Sequence, residues 1–358
     1  MKLLLISFSE LPVYADSLII QNKYLKEKVE TYCLGSNKFK DEYKNSNDNF
    51  LCVNTPHNPR PSLSSYKFWK KEKKNILNFI KEKGITHIYF INKHIWNIFL
   101  ILKLNKNIKV YHCLHDPVGH SGDKVSKGVL YYNKVLIHYL DGIIVLSENS
   151  FNDVKTYLKP KCPVKKVPLI QTEWKDYKEI TKVNKEVLFF GRLNNYKGLD
   201  YVPLIAENLY KLDKDIKIVV AGKKSDDLDE AILENLKQCP NVILNEGFVP
   251  NNLIDEYYYH ADIILMPYKS ITQSGIVVDS YNHSRTLACF KINGIEEFIT
   301  NDNALIINDF DCQKMAEEIF ILLNDFNKLK DLSFKSYKLG EKLYSPKTFR
   351  DEFLDFIK

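Results

Sequence analysis

The sequence predicts an α/β protein of two Rossmann-like, doubly wound domains facing each other across a cleft. Three observations carry that expectation. The chain has 358 residues, enough for two domains of ordinary size. Short β-branched or aromatic runs alternate with amphipathic stretches along its whole length, the pattern of parallel sheets covered by helices. Charge also divides it: residues 1–180 carry 29 Lys+Arg against 17 Asp+Glu, and residues 181–358 carry 22 against 28. A basic half is joined to an acidic one, as two domains with different surfaces would be.

In the first half, strands are expected at Leu3–Ser7, Glu30–Cys33, Phe50–Asn54, His87–Ile91, Lys109–Leu114 and Gly142–Leu146. Helical patterns lie between them near residues 16–28, 65–83, 93–104, 126–140 and 148–158. The second half repeats the scheme, with strands at Val187–Phe190, Ile216–Ala221, Val242–Leu244, Ile263–Met266, Leu287–Phe290 and Ala304–Ile307. Pro163 and Pro168 open a polar stretch without clear period, so the junction falls within Pro163–Lys185. This gives a first domain at 1–170, a second at 171–340, and a C-terminal helix in 341–358 able to pack back on the first domain. That helix is Tyr344–Ile357, with Pro346 near its start. Ligands of such sheets bind beyond the carboxyl ends of the strands, so the chemistry is sought there.

Several function classes fall away. The seven cysteines are widely spaced with no C-x-x-C pair, which fits reduced buried thiols rather than a disulfide scaffold or zinc knuckle. The apolar run Ile95–Leu102 is broken by Asn97 and is far short of the roughly 20 residues of a membrane span. The apolar start ends at Ser9, Glu10 and Pro12 without a cleavage site, so neither secretion nor spanning is expected. No glycine follows the first strand, which excludes a dinucleotide fingerprint, and no P-loop motif occurs. The basic half comes with no nucleic-acid recognition motif.

Two loops of the second half carry chemistry. In Phe189-Phe190-Gly191-Arg192-Leu193-Asn194-Asn195-Tyr196-Lys197-Gly198, a buried strand ends at a glycine and two cations share the strand-to-helix loop. Guanidinium and ammonium aimed at one point suit a diphosphate, and stabilise the charge that grows on it as a leaving group. The plainer alternative is a pair of solvated surface cations. The second loop, Thr272-Gln273-Ser274-Gly275-Ile276-Val277-Val278-Asp279, opens a helix whose unpaired N–H groups can receive phosphate. Asp279 lies about one turn in, placed to accept from ribose hydroxyls, though alone this loop reads as a simple cap with an exposed Asp.

Together the loops resemble the nucleotide-sugar domain of GT-B retaining glycosyltransferases of family 4, the glycosyl transferases group 1 of bacterial polysaccharide synthesis. The resemblance runs from Val187 to about Phe326 and recurs at Tyr344–Ile357. It rests on Phe190, Gly191, Arg192, Lys197 and Gly198, the strand Ile218–Gly222, Asn241-Val242…Gly247-Phe248-Val249-Pro250, Ala261-Asp262-Ile263…Pro267, and Gly294…Glu297-Phe298-Ile299. The resemblance implies that Arg192 and Lys197 hold the donor diphosphate, with Gly191 and Gly222 beside them. It implies that the backbone of Gly247, Phe248 and Val249 reads the base, and that Thr272, Gln273, Ser274 and Gly275 sit under the phosphates. The family's Glu-x7-Glu pattern aligns on Ile271 and Asp279, so the ribose carboxylate is shortened by a methylene and the sugar-facing one is missing. Ser284-Arg285-Thr286 replaces the usual Gly-Lys-Pro.

In the first half, His112-Cys113-Leu114-His115-Asp116-Pro117-Val118-Gly119-His120 resembles the His-Asp-Pro…His…Gly segment of polysaccharide glycosyltransferases in the same group. The resemblance places His115 and Asp116 near the reaction centre, with Ser9, Glu10, Asn92 and His120 on the acceptor or sugar side. One rival is a metal site from His112, His115 and His120, disfavoured because strand alternation sends His112 and His115 to opposite faces; the other is a structural loop with no chemistry.

The expected function is therefore a metal-independent, cofactor-free retaining transfer of sugar from a UDP- or GDP-sugar to a glycan or lipid-linked glycan of a bacterial surface polysaccharide, such as capsule or lipopolysaccharide. The expected place is the cytoplasm, peripherally on the membrane. Lysines and aromatics interleave at helical spacing through Tyr66–Ile80, and the Lys67–Lys74 stretch can lie on an anionic surface. The same segment also reads as a surface helix packing Trp69, Ile76, Phe79 and Ile80 on the sheet. Asp226-Asp227-Leu228-Asp229 reads as the acidic first turn of a helix rather than a metal motif. The alternatives are a catalytically degenerate partner subunit, motivated by Ile271 and Ser284–Thr286, and an epimerase or phosphorylase of the same fold.

Overall fold

The computed structural model describes all residues except 46–48, 58–61, 116, 119–125, 169, 171–172, 227 and 272–273, with no side-chain description at 126 and 127. It divides into two compact units, Met1–Glu173 with Tyr344–Lys358, and Trp174–Leu343.

The first unit runs β1 (Lys2–Ile6), α1 (Pro12–Leu25), β2 (Glu30–Ser36), α2 (Lys40–Asn45), β3 (Phe50–Val53), α3 (Leu63–Lys83), β4 (His87–Phe90), α4 (Ile95–Ile101), β5 (Lys109–Cys113), α5 (Ser126–Leu136), β6 (Gly142–Val145), α6 (Glu148–Asp153) and β7 (Val164–Lys166). Among the described residues these strands form one parallel sheet in the order β3-β2-β1-β4-β5-β6-β7. Strand alternation sorts the core. Leu4 and Ile6 join Trp69, Ile76 and Ile80 of α3 and Trp96 of α4 on one face, whereas Leu3 and Leu5 join Ala15 and Leu18 of α1 on the other. Ser62 starts α3 by accepting from the Ser65 N–H at 3.0 Å, and Gly84 ends it in a left-handed conformation.

The second unit runs β8 (Glu186–Phe190), α7 (Val202–Leu212), β9 (Lys217–Gly222), α8 (Glu230–Gln238), β10 (Val242–Glu246), α9 (Asn251–His260), β11 (Ile263–Met266), α10 (Gly275–Asn282), β12 (Thr286–Phe290), β13 (Ala304–Ile307), α11 (Cys312–Asn324) and α12 (Phe326–Tyr344). Its sheet is parallel too, in the order β10-β9-β8-β11-β12-β13. The last helix, α13 (Pro346–Ile357), returns to the first unit and packs with α1, burying Phe349, Phe353, Leu354 and Ile357.

The expectation of two doubly wound parallel sheets is met. In each sheet the strand order reverses beside its first strand, at β1/β4 and at β8/β11, where such folds leave room for a ligand. Two elements depart from the expected pattern. The stretch expected as an aperiodic junction contains β7, whose three residues are too few to show alternation, and α2 supplies a helix where none was expected. The first helix begins at Pro12, which suits the first helical position because proline lacks the N–H that would go unpaired there. The acidic run at 226–229 precedes α8, with Asp229 as its cap, accepting from the Ala231 N–H at 3.0 Å.

Phe353 tests the return of α13. Its ring is fully buried, 4.7 Å from that of Tyr89 on β4. Phe353→Ala removes that contact, and urea denaturation should show the first unit destabilised by about 3–5 kcal/mol. A loss below 1 kcal/mol would mean that the helix is not anchored there.

Candidate functional site

In the second unit, the loops after β8, β9 and β11 are locked together by backbone contact. Gly222, at the end of β9, lies so close to Gly191 that any Cβ on it would collide with the Gly191 carbonyl oxygen. Pairing continues past the strands: Gly191 N–H donates to Ala221 O at 2.9 Å, and Leu193 N–H to Lys223 O at 2.9 Å. Gly198, left-handed at φ +69°, backs onto the Pro267 carbonyl beyond β11 in the same side-chain-free way. Lys269 N–H then donates to Tyr196 O at 2.9 Å, and the Lys269 ammonium pairs with Asp200 at 2.8 Å.

This clamp sets the two cations. Arg192 is exposed and Lys197 is only 7% exposed. The Lys197 amine folds back over Gly191, 2.9 Å from where a Cβ would stand, and lies 5.5 Å from the centre of the Tyr268 ring. Among the described residues neither cation has a carboxylate within 4.0 Å. Burial, reinforced by Arg192, lowers the Lys197 amine to about 8, with Asp279 pulling the other way.

Ser274 precedes α10 without capping it; its hydroxyl points to the Met266 sulfur at 3.9 Å. The first-turn N–H groups of α10 therefore have no side-chain cap among the described residues. Asp279, half-buried on α10, is pushed up to about 7 by burial, while Lys175 and Lys197 draw it down. Gly247 donates its N–H to Gly222 O at 3.0 Å and has open space where a side chain would be; Phe248 beside it is 76% exposed and Val249 half-buried. Arg192, Lys197, Gly191, Gly222, Gly247, Ser274, Gly275 and Asp279 thus all lie at or just beyond the carboxyl ends of strands in one sheet. Thr272 and Gln273 lie outside the described residues.

The residues at 271, 284 and 285 serve the fold. Ile271 is buried. Ser284 adopts φ +58°, and its hydroxyl accepts from the Lys178 N–H at 3.0 Å. Arg285 is buried and spends its guanidinium on the carbonyls of Ala261, Tyr259, His283 and Ser284 at 2.7–3.1 Å.

In the first unit, the expected residues are largely engaged by the protein. His115 donates from Nε2 to Ile91 O at 3.1 Å, with the Tyr14 ring edge-on at 5.5 Å. Glu10 receives Thr55 Oγ1 at 3.2 Å and meets His57 Nδ1 at 3.0 Å, and Ser9 Oγ accepts from the Leu11 N–H at 3.2 Å. Asn92 is buried, its carbonyl oxygen bonded by Asn97 Nδ2 at 2.8 Å. His112 is a core imidazole between Asn97 and the Cys113 carbonyl, kept neutral by burial that lowers it to about 3. Asp116 and His120 lie outside the described residues.

Sequence reasoning missed the layer behind Asp279, where Lys175, Asp255 and His283 interlock. His283 follows Asp279 by four residues, the one signal in the sequence that puts both on one side of α10.

With this geometry in place, comparison with known proteins is informative. Residues 184–325, all within the second unit, match the family model described as glycosyl transferases group 1. The match supports a group 1 glycosyltransferase. Over 282 residues the chain is 21% identical to an uncharacterized glycosyltransferase of Haemophilus influenzae, covering 75% of each. Among solved structures, HepE of Anabaena, in complex with UDP and glucose, superposes with a TM-score of 0.72 at 13% identity, covering 100% of this chain and 99% of that one. A TarM mutant from S. aureus, in complex with fondaparinux, alpha-GlcNAc-glycerol and UDP, gives 0.64 at 18% identity over 76% of this chain. The chain spans only 55% of TarM. At these identities the likeness establishes the GT-B type of fold.

Lys197 gives a test that separates stability from ligand binding. Removing a buried, unpaired cation with Lys197→Met should raise stability at pH 7 by about 3 kcal/mol, from the size of its shift. The unfolded chain keeps the ordinary lysine value of 10.5, so it holds the proton that the folded chain releases near 8. Wild-type stability should therefore rise as pH climbs through that window, and the Met variant should lack the rise. Chemical denaturation at pH 7, 8.5 and 10 measures both, and a destabilised Met variant would contradict the burial argument.

Proposed function

We propose that the chain is a retaining glycosyltransferase that moves a sugar from a nucleoside diphosphate sugar, a UDP-sugar in the first instance, to a glycan or lipid-linked glycan. One observation carries the reading: the buried Lys197 amine, without a carboxylate in pairing reach among the described residues, shares a loop with exposed Arg192 and the same sheet end with an uncapped α10. A buried cation left unpaired is costly, and an anionic ligand is its natural counter-charge. The relatives support the choice of UDP, since the HepE and TarM complexes both contain it.

On this reading Arg192 grips the diphosphate bidentately and Lys197 contributes a point charge. Both gain as the bond to the sugar breaks and negative charge gathers on the leaving oxygen, in a site of low dielectric where such interactions are strongest. The α10 amides receive the phosphate oxygens, and Asp279 accepts from the ribose. Phe248 and Val249 offer main-chain groups and an exposed ring to the base. His115, with Asp116, Ser9, Glu10, Asn92 and His120, is assigned to the acceptor and the transferred sugar. The acceptor attacks on the face from which the diphosphate departs, so the transition state needs charge stabilisation more than a strong base. The two cations meet that need without a divalent metal, and turnover should persist in chelator.

The proposed setting is bacterial surface polysaccharide synthesis on the cytoplasmic side of the membrane. On α3, Tyr66, Lys67, Phe68, Lys70, Lys71, Lys73 and Lys74 are exposed, while Trp69, Ile76 and Ile80 are buried against the sheet. That leaves a basic, aromatic face for an anionic surface, and among the described residues no helix is long and apolar enough to cross a membrane. A degenerate partner subunit is the second reading, favoured by buried Ile271 in the place of the sugar-facing carboxylate.

Thermal shift with UDP, GDP, ADP and CMP in chelator tests the donor class. A nucleotide at 100 times its Kd should stabilise wild type by about 2.7 kcal/mol, and Arg192→Ala should lose most of the shift. No shift with any nucleotide overturns the proposal; a shift without sugar transfer in a donor and acceptor screen moves the assignment to the partner subunit.

A further inference from the structure

Asp279 is held by a second layer of side chains that the donor reading does not use. His283 closes α10 with its imidazole only 4% exposed. Its Nδ1 lies 2.6 Å from the Asp279 carbonyl oxygen, which also receives the His283 backbone N–H at 3.0 Å. Its Nε2 lies 3.0 Å from Asp255 Oδ1 on α9. The ring stacks on Tyr258 at 4.6 Å and meets the Tyr259 ring nearly edge-on at 5.2 Å. Asp255 is paired with the Lys175 ammonium, and Lys175 N–H donates to Asn282 Oδ1 at 2.7 Å in the last turn of α10.

The atoms facing the ring settle its role. A carbonyl oxygen only accepts, so Nδ1 donates to Asp279. The Lys175 ammonium and the His283 contact hold the Asp255 carboxyl below its usual range, so it too accepts, and Nε2 donates to it. Burial is the larger effect and lowers the ring below its ordinary value, while Asp255 and the Asp279 carbonyl oppose it, so both bonds are made together by the protonated imidazolium. In that form the ring is a two-ended donor joining the Asp279 main chain to α9.

We infer that His283, bonded through both ring nitrogens to Asp255 on α9 and to the main-chain oxygen of Asp279, is a positioning residue that aims the Asp279 carboxylate at the ribose of the donor. The inference rests on the donor reading above. Asp carries its carboxylate on a single methylene, so its aim is set by the helix turn that bears it. A turn fixed from behind by a bond to a neighbouring helix does not swing when the ligand enters, and the ribose contact is made without reorganisation.

The test titrates UDP and 2′,3′-dideoxy-UDP calorimetrically against wild type and variants. Wild type should prefer UDP by about tenfold, the worth of a well-made pair of ribose hydrogen bonds. His283→Phe keeps the stacking on Tyr258 but loses both bonds; it should weaken UDP by about tenfold and move the dideoxy analogue less than threefold. His283→Asn, whose amide can reach the Asp279 oxygen as Nδ1 does, should restore most of the preference. Asp255→Ala, made at an exposed carboxylate, loosens the other end without touching the core and should lower the preference about threefold, which keeps the test open should the Phe variant not fold. An unchanged preference in the Phe or Ala variant, equal weakening of both ligands, or no rescue by Asn overturns the inference while leaving the donor reading intact. Failure of wild type to bind UDP overturns the donor reading, and this inference with it.

Discussion

The second unit is organised around an amine that has little water and no carboxylate within pairing reach among the described residues. A side chain as long as lysine normally keeps its ammonium in solvent. Here the chain of Lys197 turns inward because three places around it lack side chains. Gly191 leaves room for the amine itself, Gly198 lets the loop press on the Pro267 carbonyl, and Gly222 lets β9 close on Gly191. The last two contacts join the ends of different strands, so the loops form one rigid rim at the point where the strand order reverses. The cost of burying the charge is fixed at folding, and on the proposed reading it is recovered when the donor diphosphate enters, which is electrostatic preorganisation.

The first unit uses its polar groups differently. Histidines that look like chemistry in the sequence are largely consumed by the fold. His112 sits between an amide and a carbonyl that together fix its tautomer, and burial keeps it neutral. Glu10 is tethered toward the β3 edge through Thr55 and His57, and Thr55 in turn meets Ser36 at 2.7 Å. At its sheet end the second unit thus leaves two cations without a carboxylate in pairing reach among the described residues, whereas the candidate groups of the first unit are already placed by internal bonds. On the proposed reading the leaving group must be stabilised strongly and the acceptor mainly oriented, a division these two arrangements suit.

Much of this was legible in the sequence, for identifiable reasons. Strands buried on both faces read as continuous apolar runs, so Val187–Phe190 and Ile263–Met266 stood out, and the loop from Gly191 to Gly198 carried its two glycines and two cations in plain view. The strand β7 did not, because Val164-Lys165-Lys166 shows no period in three residues. Partners far apart in the chain were equally hidden. Arg285 looked like a lost family residue, yet its guanidinium holds carbonyls 24 and 26 residues away, a role that only the folded main chain defines. Asp255 and Lys175 bracket His283 from elements with no pattern in common.

The side chains at the end of α10 make sense as a set. Asp279 carries its carboxylate on a single methylene and so has little freedom to reach a partner from several backbone positions. Demand passes to the backbone. The same stretch then carries Ser284 in a left-handed conformation that glycine would adopt more easily, held there by the Lys178 amide, and Arg285 pinned by four carbonyls. His283 completes the series by bonding the Asp279 carbonyl directly. Every residue from 282 to 285 therefore ties the end of α10 to a neighbouring segment through a side-chain hydrogen bond. A short carboxylate on a well-anchored turn exchanges reach for rigidity, which is what the proposed ribose contact would ask of it.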